Sequence, residues 1–186
     1  MKIQMSKDEI ALLSNFMRKS DHYFEFGMGG STCLAAELVA KSVSAIDSSI
    51  EWVQKVREKI GESPKDITLT HVDIGPIGAW GSPKGSSSKH LFPAYSDTIK
   101  QQRRDINLCL VDGRFRVACF LKALAYLDSD AVLAMHDYRV RDYYHVVEEF
   151  ARPIAATNTL VFFVRRKGVM PPEIERSAAS FVFDSR

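Results

Sequence analysis

Residues Tyr23–Leu38 read YFEFGMGGSTCLAAEL. An aromatic, apolar run carries a single acid, Glu25, breaks into glycine at Gly27, Gly29 and Gly30, and then turns into good helix formers. That order spells a buried strand, a tight turn and a helix. Glycine permits positive φ and lets a ligand approach the backbone N–H groups of a helix N-terminus. An anion-binding turn gains nothing from a neighbouring carboxylate, so Glu25 favours a ligand that presents positive charge, such as an ammonium group.

Outward from this stretch the same alternation repeats. Ser6 with Glu9 three residues on forms a capping-box pattern ahead of the apolar IALLSNFM. SVSAIDSS predicts a second strand ending at Asp47, SIEWVQKVREKIG an amphipathic helix closed by Gly61, and DITLTHVDIG a third strand. Gly75 to about Tyr95 is rich in Gly, Pro and Ser and lacks periodicity, which marks a functional or a disordered loop. Its Trp80, His90, Phe92 and Tyr95 are the expected lid. A helix over Ser96–Arg104, a strand in INLCLVDG, a helix in VACFLKALAYL, a strand in AVLAMHD and a helix in DYYHVVEEFAR follow. The segments TNTLVFFVRRK and SAASFVFDSR predict a closing antiparallel pair, whose free edge a second copy could extend into a homodimer. The alternation implies an α/β, doubly wound, mostly parallel sheet with helices on both faces, in one domain over residues 1–186.

Composition narrows the function classes. A net charge of +2 over 186 residues argues against dedicated nucleic-acid binding, and the basic KQQRRD at Lys100–Asp105 reads as a solvated helix end. The N-terminus lacks a signal-peptide pattern, and no apolar run reaches membrane-spanning length. Cys33, Cys109 and Cys119 are an odd, widely spaced set among apolar neighbours, expected as reduced core residues of a cytoplasmic protein.

In open α/β sheets, ligands bind at the carboxyl ends of the strands. Those ends carry Glu25–Gly30, Asp47, Asp73, Asp112–Arg114 and His136–Asp137. Acids are poor strand residues, so their recurrence at one rim is a functional signal. Asp47, about twenty residues after the first glycine, suits the two hydroxyls of a ribose. Asp73 suits an adenine amino group. Each could instead be a turn residue, and Asp47 could cap the next helix. The dinucleotide pattern G-x-G-x-x-G is incomplete, since Thr32 takes the last glycine's place.

FEFGMGGST, AIDSS and VDIG together resemble the successive cofactor motifs of class I S-adenosylmethionine-dependent methyltransferases. The resemblance implies a seven-stranded sheet whose last strand is antiparallel. It also implies S-adenosylmethionine, with its methionine end at Gly27, Gly29 and Gly30, Glu25 opening the motif, and its ribose and adenine beside Asp47, Ser48, Asp73, Ile74 and Asp112. LCLVDGRF and AVLAMHDY resemble a subgroup with IDG and HD strand ends, distantly like catechol-type O-methyltransferases. That likeness implies Mg²⁺ held by Asp112 and Asp137, which would acidify an acceptor hydroxyl. Tyr138 and Arg114 depart from the subgroup's pattern. The metal-free alternative makes His136 a general base, beside Asp112, with Arg114 and Arg116 holding an anionic acceptor. The expected activity is methyl transfer to oxygen on a small-molecule or sugar-like substrate, without a nucleic-acid or membrane partner. An NAD(P)-binding oxidoreductase and a non-catalytic nucleotide-binding protein of the same fold are the alternatives.

Overall fold

The computed structural model describes residues 1–186. Its elements are α1 (Lys7–Met17), β1 (His22–Phe26), α2 (Gly30–Leu38), β2 (Ser42–Asp47), α3 (Ile50–Ile60), β3 (Asp66–His71), α4 (Phe92–Asp97), β4 (Leu108–Val111), α5 (Arg116–Tyr126), β5 (Val132–Met135), β6 (Ala151–Thr157), β7 (Leu160–Arg165) and α6 (Pro171–Ala179). The seven strands form one sheet in the order β3-β2-β1-β4-β5-β7-β6. β1 pairs in parallel with both β2 and β4, and β7 lies antiparallel between β5 and β6. The chain winds one way through β1, β2 and β3, then restarts at β4 and winds the other way. The reversal opens a crevice between the carboxyl ends of β1 and β4, where a ligand site belongs.

Alternation within strands builds a core on each face. Phe24 and Phe26 of β1 join Cys109, Val111, Phe115 and Phe120 on one side, packed with α4, α5 and α6. Tyr23 joins Leu13, Met17, Ala35, Leu108, Leu110 and Phe162 on the other, with α1 and α2. Burial of aromatic rings supplies the largest apolar areas in such cores. No helix is long and apolar enough to cross a membrane. All three cysteines are free thiols, Cys109 and Cys119 buried and Cys33 half-buried.

The capping box at α1 is formed: Glu9 Oε2 accepts from the Ser6 N–H at 2.8 Å, and Ser6 Oγ accepts from the Glu9 N–H at 3.2 Å. Glu9 also reaches across the fold. Its Oε1 accepts from Thr159 N–H and Oγ1, both at 2.8 Å, and from Leu160 N–H at 3.1 Å. Burial pushes this carboxyl up, but the donors on Ser6 and Thr159 outweigh it and bring the pKa down to about 2.

The C-terminal third departs from the sequence reading. The antiparallel pair is Ala151–Thr157 with Leu160–Arg165, joined by a tight turn in which Asn158 takes φ 46°, a conformation asparagine tolerates. Ser177–Arg186 contributes no strand. Pro171 and Pro172 open α6 instead, whose Ile174 and Ala178, one turn apart, bury against the core. Proline suits a helix's first turn because its missing N–H would be unpaired there. Residues 142–149 are 3₁₀ rather than α-helical, and the helix expected over Ser96–Arg104 is the shorter α4 followed by a 3₁₀ turn at Thr98–Gln101. At the sheet's β6 edge, Pro153 and a register shift between Pro153 and Ala155 interrupt the ladder. Both features discourage edge-to-edge pairing.

Candidate active site

Gly27 takes φ +88°, and a Cβ there would meet Gly113 Cα at 2.3 Å. A Cβ on Gly113 would meet the Tyr95 hydroxyl at 2.3 Å. The ends of β1 and β4 thus touch backbone to backbone, and only glycine fits either position. At Gly29 a Cβ would find only Trp52 Nε1, at 3.8 Å, so this part of the turn is open. Trp52 Nε1 donates to the Met28 carbonyl at 2.6 Å, tying α3 to the turn. Nothing in the spacing of Trp52 announced that contact.

Glu25 does not face the ligand side. It is fully buried, with Oε1 accepting from Ser31 Oγ at 2.5 Å and Oε2 from Thr32 Oγ1 at 2.7 Å. Thr32 Oγ1 in turn accepts from the Gly29 N–H at 2.9 Å. Burial pushes the Glu25 carboxyl up to about 8 against these two hydroxyls, so at neutral pH it is mostly an uncharged acid. Its place is to brace the glycine turn from beneath. Thr32, which spoils the dinucleotide pattern, is the residue that joins acid to turn.

Asp47 ends β2 half-buried, and its Oδ1 accepts from the Ser49 N–H at 2.8 Å. Burial pushes the carboxyl up to about 6, while the N–H groups of Ser49, Met28 and Ser48 pull against that rise. Asp47 therefore adjoins the glycine turn through Met28. It does not cap α3; Ser49 does, with its Oγ accepting from the Trp52 N–H at 3.2 Å. Ser48 is buried and donates to the Gly81 carbonyl at 3.2 Å. Asp73 is exposed and accepts from the Gly75 N–H at 2.8 Å, a local turn, whereas Ile74 is fully buried.

The loop after β3 folds back on itself through Gly78 N–H to Ser82 O and Lys84 N–H to Pro76 O, both 2.7 Å. The four expected lid residues part ways. Trp80, at φ 58°, is 79% exposed and covers nothing, and His90 is exposed. Phe92 and Tyr95 are buried core anchors, with ring centroids 5.1 Å and 5.6 Å from Phe115.

Beyond β4 and β5, Asp112, His136 and Asp137 bring ligand-type atoms within 4.8 Å of one another. Arg116, only 4% exposed, occupies their midst. Its NH2 lies 3.1 Å from Asp112 Oδ1 and its NH1 3.1 Å from Asp137 Oδ2. The same guanidinium donates to the carbonyls of Gly113 at 3.0 Å, His136 at 2.6 Å and Asp112 at 3.1 Å. The residues do not fit Mg²⁺. An ion between these carboxylates would sit against a buried guanidinium that already neutralises them. Arg116 is therefore neither an anion clamp nor a surface residue.

His136 is buried, with Nδ1 3.0 Å from Asp112 Oδ1 and Nε2 3.8 Å from Glu9 Oε2. Burial works against its charge, but Asp112, Asp137 and Glu9 outweigh it and raise its pKa. Asp112 stands within hydrogen-bond distance of Nδ1, whereas Glu9 lies beyond it from Nε2. The geometry pairs His136 with Asp112, which its ring helps to orient. Arg141 adds a second hold on Asp137 Oδ2 at 3.1 Å, and Tyr144 lies under both arginines, 5.9 Å from Arg116 and 5.7 Å from Arg141.

A doubly wound seven-stranded sheet reversed only at its seventh strand, with a glycine turn and acids along one rim, defines the class: the chain has the class I S-adenosylmethionine-dependent methyltransferase fold. Among solved structures it is similar to a methyltransferase-like protein from Silicibacter pomeroyi, with a TM-score of 0.87 and 27% identity over 100% of this chain and 98% of that one. A tRNA (m1A58) methyltransferase from Aquifex aeolicus shares the fold at TM-score 0.55 and 17% identity, over 90% of this chain and 71% of that one. An RNA methyltransferase from Salinibacter ruber, solved with S-adenosylhomocysteine, does so at 0.53 and 14%, over 90% and 96%. No family model and no curated protein matches the sequence.

Proposed function

We propose that the protein transfers the methyl group of S-adenosylmethionine to an oxygen of a small-molecule acceptor. The observation that carries this reading is Asp47: a carboxylate fixed at the end of β2, adjoining Met28 of a glycine turn that stays open at Gly29. A ribose needs such an acceptor, and the turn, open at Gly29, lets the rest of the ligand approach the backbone closely. Gly27 and Gly29 would hold the amino-acid end, Asp47 and Ser48 the ribose, and Asp73 the adenine, whereas Gly30, covered by Lys2 and Ile3, and the fully buried Ile74 would support the site from behind. The cofactor supplies an already activated methyl group, so alignment of the acceptor is the main task left to the protein.

Asp112 is the best placed residue for that task. Arg116 and His136 both approach its Oδ1, which leaves Oδ2 to receive an acceptor hydroxyl. Asp112 and Asp137 would do so as oriented carboxylates, not as metal ligands. The dinucleotide alternative loses support from the sheet, since the pyridine-nucleotide order 3-2-1-4-5-6 lacks a reversed strand beside the fifth. Calorimetry with S-adenosylhomocysteine and NAD separates the two. Micromolar binding of the first alone is expected; binding of NAD alone would overturn the proposal.

A further inference from the structure

Arg114 and Arg116 after β4 and Arg141 after β5 have unequal partners. Arg116 is matched by Asp112 and Asp137, and Arg141 by Asp137. Arg114 has no carboxylate within ion-pair distance. Its NH1 donates to Ser82 Oγ at 3.2 Å, and its Nε is buried with no partner. Around it stand Arg116, Arg141, Tyr95 and Tyr144. Two of these neighbours repel it and none neutralises it. Burial and Arg116 both disfavour its charge, the first more strongly. Arg114 is half-buried, and a guanidinium whose Nε is shielded from water without a partner or a matching anion is unfavourable for folding, so its retention points to a partner outside the chain.

Position says which partner. Arg114 follows Asp112, the residue expected to receive the acceptor hydroxyl, by two positions. Its contacts come from the loop after β3 and the segment after β5, not from the glycine turn where the cofactor's amino-acid end would lie. Resting on the methyltransferase reading above, we propose that Arg114 recognises an anionic substituent, a carboxylate or an acidic ester, on the methyl acceptor. The planar guanidinium suits such a group, which can accept from two of its N–H bonds at once. The acceptor would then be a hydroxylated acid, held by its charge at Arg114 and by its hydroxyl at Asp112.

The test compares wild type with Arg114→Gln and Arg114→Lys, using inorganic sulfate as the anion and thermal unfolding as the readout, with and without S-adenosylhomocysteine. Sulfate is expected to stabilise the wild type. Arg114→Gln should weaken the sulfate response at least tenfold, and Arg114→Lys should keep part of it. Arg114→Gln should unfold at the wild-type temperature or above when no anion is present, because a charge without a partner has been removed. Its affinity for S-adenosylhomocysteine should stay within twofold. An equal sulfate response in wild type and Arg114→Gln would overturn the proposal, as would a Tm lowered by several degrees without anion, the mark of a structural arginine. Loss of S-adenosylhomocysteine affinity with methylthioadenosine affinity intact would assign Arg114 to the cofactor's carboxylate instead. Absence of S-adenosylhomocysteine binding to the wild type would overturn the methyltransferase reading itself, and with it the assignment of the anion to a methyl acceptor.

Discussion

Replacing Arg116 by alanine should do two separable things. The side chain is 5% exposed and makes five polar contacts, to the carboxylates of Asp112 and Asp137 and to the carbonyls of Asp112, Gly113 and His136. Removing one partner of a buried ion pair costs about 3–5 kcal/mol, because the other charge stays behind. The two carboxylates keep 23% and 27% of their exposure and can recover some water, which argues for the lower end, about 3 kcal/mol. For a chain of this length that corresponds to a fall in Tm of roughly 6–12 °C. The second effect is gain of a cation site. Asp112, His136 and Asp137 retain their spacing within 4.8 Å but lose the guanidinium. Mg²⁺ at about ten times its dissociation constant should then restore roughly 1.4 kcal/mol to Arg116→Ala and nothing to the wild type. Thermal unfolding with and without millimolar Mg²⁺ reads both effects. A fall of less than roughly 3 °C, or equal Mg²⁺ stabilisation of the two proteins, would refute the account of Arg116 as the group that holds this cluster together in place of an ion.

Asp47→Ala should weaken S-adenosylhomocysteine binding at least tenfold in calorimetry while leaving the far-ultraviolet circular dichroism spectrum unchanged. Gly27→Ala combines a positive φ with a contact of 2.3 Å to backbone, and should lower Tm far more than Gly29→Ala, whose Cβ meets nothing nearer than 3.8 Å. Glu25, raised from 4.5 to about 8, stabilises the fold fully below pH 4.5 and loses that contribution as pH climbs to 8. The loss is about 4 kcal/mol, and Glu25→Gln should flatten the decline of denaturation midpoints across that range. Glu9, lowered from 4.5 to about 2, works with the opposite sign: its contribution is present above pH 4.5 and disappears toward pH 2. Glu9→Gln should therefore remove part of the acid-side decline.

The alternating frame was legible because it rests on local signals. Apolar strands, the Ser6–Glu9 cap and the glycine turn each announce themselves within a few residues, and β1 to β5 lie where the pattern puts them. The C-terminal third was not legible in this way. Ala151–Thr157 carries a proline and little β-branching, so nothing local marks it as a strand. It becomes one by pairing with β7, whose register is held from a distance by Glu9. Burial was the other hidden quantity. Glu25 and Asp47 are both acids at strand ends in the sequence, yet one lies beneath the turn and the other beside it. Strand phase decides this, because Glu25 is still within β1 and points with Tyr23 toward α1 and α2, whereas Asp47 is the last residue of β2.

The division of labour between Arg114 and Arg116 turns on the residue between them. Two arginines separated by one residue in an extended segment would face the same side, and DGRFR invites that reading. Phe115 instead takes φ 55° and ψ 38°, a left-handed conformation that costs a bulky residue about 1–2 kcal/mol. The conformation is held because the ring is fully buried against Phe92 and Tyr95. The kink sends Arg116 back under the strand ends, into α5 and onto Asp112 and Asp137, and leaves Arg114 facing Ser82 with its charge unmatched. A strained, buried phenylalanine thus converts one basic motif into a structural cation and a free one. Phe115→Gly should relieve the strain yet lose the anchor, and the sulfate response assigned to Arg114 should fall with it. A Phe115→Gly variant that kept the full sulfate response would show that the separation of the two arginines does not depend on this ring.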